Sequence, residues 1–230
     1  GSFALNYSKA NTEAGIKAGT VTAHAGDVTI SAAGTTAAQV EGKAKAGKAG
    51  DTGVGVSVGI NIAVDNDTSA VIADGATLTG GDDVTLTATG SHVVNSTAEG
   101  GGQSTGATGV GGALALTVAE NETEAKIGTG TALDVTGAVS ATANHHGSSA
   151  TLAKGDGTGG STAVGVAIAL GFVDDSAVAT TTRNITADKG VSFRASADGA
   201  RKSEAKASAA GADKTQESGK GKTTADDQSK

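Results

Sequence analysis

The chain has 230 residues and a net charge of −7, with 37 Gly and no Pro, Cys, Met or Trp. The acidic balance offers no basic face for phosphates and argues against nucleic-acid binding; the lack of Cys excludes disulfides and thiolate metal sites; no apolar run approaches the roughly 20 residues of a spanning helix. With aromatics at 2%, the interior has to be thin and built from Val, Ile, Leu and Ala, a demand that two closely spaced sheets meet.

Gly1-Ser2 reads as an expression remnant, and the chain as a piece of something longer. Phe3, Leu5 and Tyr7 look like the tail of a truncated first strand. Asp27-Val28-Thr29-Ile30-Ser31-Ala32 opens a segment that returns as Asp83–Ala88, Ala138–Ala143 and Gly190–Ala195. Asn66-Asp67-Thr68-Ser69-Ala70-Val71-Ile72 likewise returns 55 residues later, at Asn121–Ile127. Self-similarity at a fixed period marks a stacked repeat. From Val54 to Val64 every second residue is β-branched, against Gly55, Ser57, Gly59, Asn61 and Ala63 on the other face. The strand recurs with Leu114, Leu116 and Val118, and with Val164, Val166, Ile168, Leu170 and Phe172. Matching Val64 to Val118 calls for one inserted residue near Ala119 and puts Ile62, Leu116 and Leu170 in one column. The branched face is expected to be the core, so that Val58→Asp would bury an unpaired charge.

An acidic corner is expected next, at Asp65-Asn66-Asp67, Glu120-Asn121-Glu122 and Asp174-Asp175, followed by short strands near 70–72 and 77–79. A long alternating segment begins at Val84 and runs through Leu86, Ala88, Gly90, His92 and Val94. Each copy then enters a Gly-rich stretch, at 42–52, 99–108 and 154–162, which reads as an exposed loop. The Ala- and Lys-rich stretch 201–210 continues a strand by its place in the repeat. The expected fold is all-β, a parallel β-solenoid of about four stacked repeats of about 55 residues. Its single repeat domain covers 1–210 (3–52, 53–108, 109–164, 165–210), with a flexible end at 211–230. One wide coil per repeat is favoured over narrower coils, and an antiparallel sandwich of hairpins is the competing architecture.

Stacking brings Asp65, Asp67, Glu120, Glu122, Asp174 and Asp175 together along one edge, an oxygen-rich row that suggests Ca²⁺. The simpler account is that these residues cap turns and keep the edge soluble. His24, His92, His145 and His146 are read as incidental surface residues; neighbours such as His145 and His146 point to opposite faces of a strand. No nucleophile, catalytic residue or cofactor site is proposed.

The run from Gly53-Val54-Gly55-Val56-Ser57-Val58 through Ile62-Ala63-Val64-Asp65-Asn66 and Ala70-Val71-Ile72 to Asp83–Ala88 resembles the strand repeats of giant bacterial surface proteins, the filamentous-haemagglutinin and leukotoxin-type adhesins. The resemblance covers Phe3 to about Ala210. It implies an extracellular or cell-surface rod without enzymatic activity, flanked by further repeats and reaching a host or neighbouring cell, with no membrane insertion. A carbohydrate-binding or carbohydrate-cleaving solenoid is the alternative; one Tyr, three Phe and no Trp provide little sugar-stacking surface.

Overall fold

The computed structural model describes residues 1–47 and 50–211. The expected flexible end, from 212 on, lies outside the described residues. The chain winds through four coils, each with a long strand, a short strand and a second long strand. The first coil is β1 (Ser2–Ile16), β2 (Thr20–His24) and β3 (Val28–Ala46). The second is β4 (Thr52–Ile72), β5 (Thr77–Gly80) and β6 (Val84–Gln103). The third is β7 (Thr108–Ile127), β8 (Leu133–Val135) and β9 (Ala138–Gly159); the fourth is β10 (Thr162–Thr181), β11 (Ile185–Ala187) and β12 (Gly190–Gly211).

Equivalent strands stack as two long sheets, β1-β4-β7-β10 and β3-β6-β9-β12, and the short strands pair as β2-β5 and β8-β11. Every pairing is parallel. The fold is therefore an all-β parallel solenoid of wide coils, and the hairpin sandwich is excluded. Parallel pairing needs a long crossover, and here the opposite sheet of the same coil is that crossover.

The interior has two zones. Near the short strands the coil widens and holds a conventional core of Ile72, Ile127, Leu78, Leu133, Val84 and Leu86, each at most 2% exposed. Toward the other end the inward side chains shrink to Ala, Ser and then Gly. Sheets filled by side chains lie about 10 Å apart. Here a Cβ added at Gly102 would collide with the Val110 carbonyl, and one at Gly155 with the Val166 carbonyl. The sheets meet backbone to backbone.

That contact reverses the expected polarity of the long strand. The small face is the inward one: Ser57 and Asn61 are fully buried and Ala63 nearly so. The branched face points outward, with Val54 53% and Ile168 48% exposed. Alternation defines two faces and is silent on which is covered. The facing strand decides it, because Gly100 and Gly102 admit only another glycine row opposite them. Val58 accordingly faces outward, and Val58→Asp does not place a charge in the core.

Three further expectations are corrected. The Gly-rich stretches are mostly strand: β3 runs to Ala46, β6 to Gln103 and β9 to Gly159. Ser104, in the short turn that remains, is buried and donates to the Gly50 carbonyl at 2.9 Å. The acidic segment is no corner, since β4, β7 and β10 run straight through it, and 70–72 is the end of β4. The extra residue sits in β4, not near Ala119. Ile62 pairs with Val118 and Asn66 with Asn121, so the offset drops from 56 to 55 between them. Asp65 forms the bulge, with φ of 52°. The column through Leu116 and Leu170 therefore holds Leu5 and Ile60, and Ile62 stacks with Tyr7, Val118 and Phe172.

The glycine contact gives a paired test. Gly102→Ala is expected to lower stability by about 3 kcal/mol, because backbone must move to admit the methyl. Gly101→Ala, one residue away on the outer face with its nearest neighbour 3.8 Å from the new carbon, is expected to be nearly neutral in the same denaturant titration.

Candidate functional site

The acidic residues do not converge. Asp65 pairs with Lys9 at 2.8 Å. Asp67 lies beside Glu122, and Glu120 beside Asp174, on the outer face of the first sheet. Partial burial raises the Glu122 carboxyl above its ordinary pKa, and the neighbouring Glu124, Asp67 and Glu120 push the same way. Asp175 turns inward. Among the described residues no group of three or more His, Asp or Glu side chains is disposed to hold a metal.

Other aspartates, at the coil ends, act on the backbone. Asp27 accepts a hydrogen bond from the Asp83 N–H at 3.2 Å, Asp83 from the Ala138 N–H at 2.8 Å and Asp74 from the Thr129 N–H at 2.6 Å. Each ties its turn to the next coil. The Thr129 hydroxyl and N–H together hold the Asp74 carboxyl below its usual range.

The most concentrated chemistry is buried between the sheets. His92 and His145 are not surface residues; they are 2% and 0% exposed, and their rings stack with centroids 5.2 Å apart. The Thr36 hydroxyl and His92 Nδ1 share a hydrogen bond of 2.7 Å, and Thr123 and His145 Nδ1 one of 3.1 Å. His145 Nε2 lies 3.2 Å from Asp175 Oδ1 without forming a hydrogen bond to it. Asn66 donates to Asn121 at 2.9 Å, Asn121 to Asp175 at 2.7 Å, and Arg201 to Asp175 at 3.0 Å. A glycine makes room for the rings: a Cβ at Gly90 would strike the Thr123 hydroxyl. His145 and His146 do face opposite sides, and His146 lies exposed beside Asp198, 3.6 Å away. His24 is exposed at the end of β2.

Thr123, His145 and Asp175 stand in the order of a nucleophile, base and acid, with Thr123 and His145 fully buried and the Asp175 side chain nearly so. Burial would raise the Asp175 carboxyl; the hydrogen bonds from Asn121 and Arg201 and the adjacent His145 ring outweigh it and leave the pKa lowered. Burial drives His92 the other way, down to about 4, helped by the neighbouring His145. The alternation from Val84 already put His92 in step with Leu86 and Val94, and that was the available signal.

Arg183 carries no such signal. It is 8% exposed at the turn after β10 and donates to four carbonyls on two other coils. Nη1 reaches Ala76 at 2.9 Å, Nη2 reaches Thr129 at 3.0 Å and Ala73 at 3.2 Å, and Nε reaches Gly128. A guanidinium has the fixed fork that such a set requires.

On the outer face of the second sheet, Gly101 leaves a notch of about 390 Å³ lined by Lys45, Glu99, Gln103, Lys154, Asp156 and Thr158. Lys154 pairs with Asp156 along its strand at 2.8 Å, and no aromatic lines the notch. Comparison with family models, with curated proteins and with solved structures finds no match.

Two outcomes follow. His92 is protonated more easily in the unfolded chain, near its ordinary 6.5, than in the fold, near 4. Its contribution is therefore complete above pH 6.5 and lost as pH falls from there toward 4. Melting temperature should drop across that window, and His92→Gln should flatten the drop; the Asp175 contribution is lost only at lower pH. Arg183→Met should destabilise by about 3 kcal/mol by leaving buried carbonyls unpaired. Hydrogen exchange should rise first at 128–133, and Arg183→Lys should restore little.

Proposed function

We propose that this chain is a structural, non-enzymatic segment of a secreted bacterial adhesin, a length of extended stalk that supports surface attachment. The observation that carries the reading is the continuity of the coils. Four stack in parallel register, and among the described residues β1 and β3 at one end and β10 and β12 at the other are long edge strands with one neighbour each, the form in which a further coil could pair. A unit built this way adds length by adding coils, each about 4.8 Å further along the axis. The sequence resemblance to adhesin repeats points in the same direction and assigns flanking repeats as the immediate partners.

The buried His–Asp row supports this reading, because it joins neighbouring coils: Thr36 to His92, Asn66 to Asn121 and Asn121 to Asp175. The carbohydrate alternative has one favouring feature, the polar notch around Gly101, and lacks an aromatic platform there.

The test is length against chemistry. A chain with the second coil duplicated in tandem should fold, melt no lower than the parent, and extend by one coil spacing in small-angle scattering. A duplicated chain that fails to fold, or reproducible cleavage of a polysaccharide by the parent chain, overturns the stalk reading.

A further inference from the structure

We propose that the outer face of the β1-β4-β7-β10 sheet is an interface between two copies of this chain. Over its upstream half this face carries no charge. Its rows are Phe3, Leu5 and Tyr7 on β1; Val54 to Val64 on β4; Val110 to Val118 on β7, broken only by Gly112; and Val164 to Phe172 on β10. Three of the chain's four aromatic residues stand on it, with Phe3 67%, Tyr7 66% and Phe172 60% exposed. Aromatics and depleted charge mark the centres of protein interfaces. The outer face of the opposite sheet carries Thr85, Thr87, Ser140, Thr142 and Arg194 instead, which is the ordinary composition of a solvated strand.

Area supports a copy of the chain as the occupant. Three strands of nine to eleven residues and the five of β1, at 4.8 Å by 3.3 Å per residue, cover about 500 Å². That lies in the upper part of the roughly 300–600 Å² of the largest apolar patch on a monomer. Doubled across two copies it gives about 1,000 Å², the size at which a specific interface begins.

Charge fixes the arrangement. The downstream half of the same face bears Glu13, Asp65, Asp67, Glu120, Glu122, Glu124 and Asp174 against Lys9, Lys17 and Lys126, so acids outnumber bases there. A two-fold axis along the strands would lay acid on acid. An axis parallel to the direction of stacking lays apolar half on apolar half with strands antiparallel, and sends the two acidic halves to opposite sides. Leu114 lies near that axis and meets its own copy. The acidic half also disfavours an anionic bilayer as the occupant. In this geometry the two stacks run side by side with the same polarity, so every added coil enlarges the contact.

The test is sedimentation velocity on the full chain across two decades of concentration, with far-ultraviolet circular dichroism on every variant. The wild type should pass from monomer to dimer. Leu114→Lys should weaken dimerisation at least tenfold while the strand spectrum is kept, and Thr142→Lys, on the opposite sheet, should leave it unchanged. Ile168→Lys, on the edge strand, supplies a second probe should Leu114→Lys fail to fold. A wild type that stays monomeric throughout overturns the proposal. So does a dimer that survives folded Leu114→Lys and Ile168→Lys, which assigns association to the open strand ends, and so does a monomer captured by neutral lipid vesicles.

Discussion

Each coil is held by the one beside it. Within a coil the two long strands never share a backbone ladder; all such ladders run between coils, in parallel register. The coil is therefore no folding unit by itself, and stability approximates a sum of neighbour terms, as in other repeat proteins. Everything else accommodates that ladder. Side chains must repeat at the coil period to sit over their equivalents, and the turns must close at a fixed length. Polar residues drawn inside find partners on the next coil, as Asn6 does with Asn61 and Asn66 with Asn121, both at 2.9 Å, or across the same coil, as Thr123 does with His145.

The interior then becomes a question of thickness. At the wide end aliphatic side chains fill the space, and at the narrow end there is no space to fill. Between them lies a polar middle, where Thr151 donates to Thr117, Thr117 to Ser96, and Ser96 to the Leu116 carbonyl. A hydroxyl there occupies the volume of a methyl and satisfies a buried carbonyl at the same time. The His92–His145 stack fills the next step in width, and the desolvation of His92 couples the fold to acid.

The period, the strand class and the wide coil were legible in the sequence, because identity at fixed spacing needs no knowledge of burial. The polarity of the long strand was not. Val54, Val56 and Val58 look like core by hydrophobicity, and only the matching glycine spacing in Gly53-x-Gly55 and Gly100-x-Gly102 reveals that the other face is pressed against backbone. The Gly-rich segments read as loops for the same reason: composition is shared by turns and by very close sheets, and what separates them is the presence of a facing partner. Asp83 as a turn clamp was half legible through its place at the start of a repeated segment. Arg183 was not legible at all, since its partners are main-chain carbonyls more than 50 residues away.

An odd residue in one strand carries a hazard of its own: it would flip every side chain beyond it to the other face. The kink at Asp65 cancels that flip. Ala63 and Asn66 stand three apart and are both buried, because two residues of β4 there oppose one of β1 and one of β7. The second coil thereby stays in step on both sides of its extra residue, and Asn66 keeps its place over Asn121.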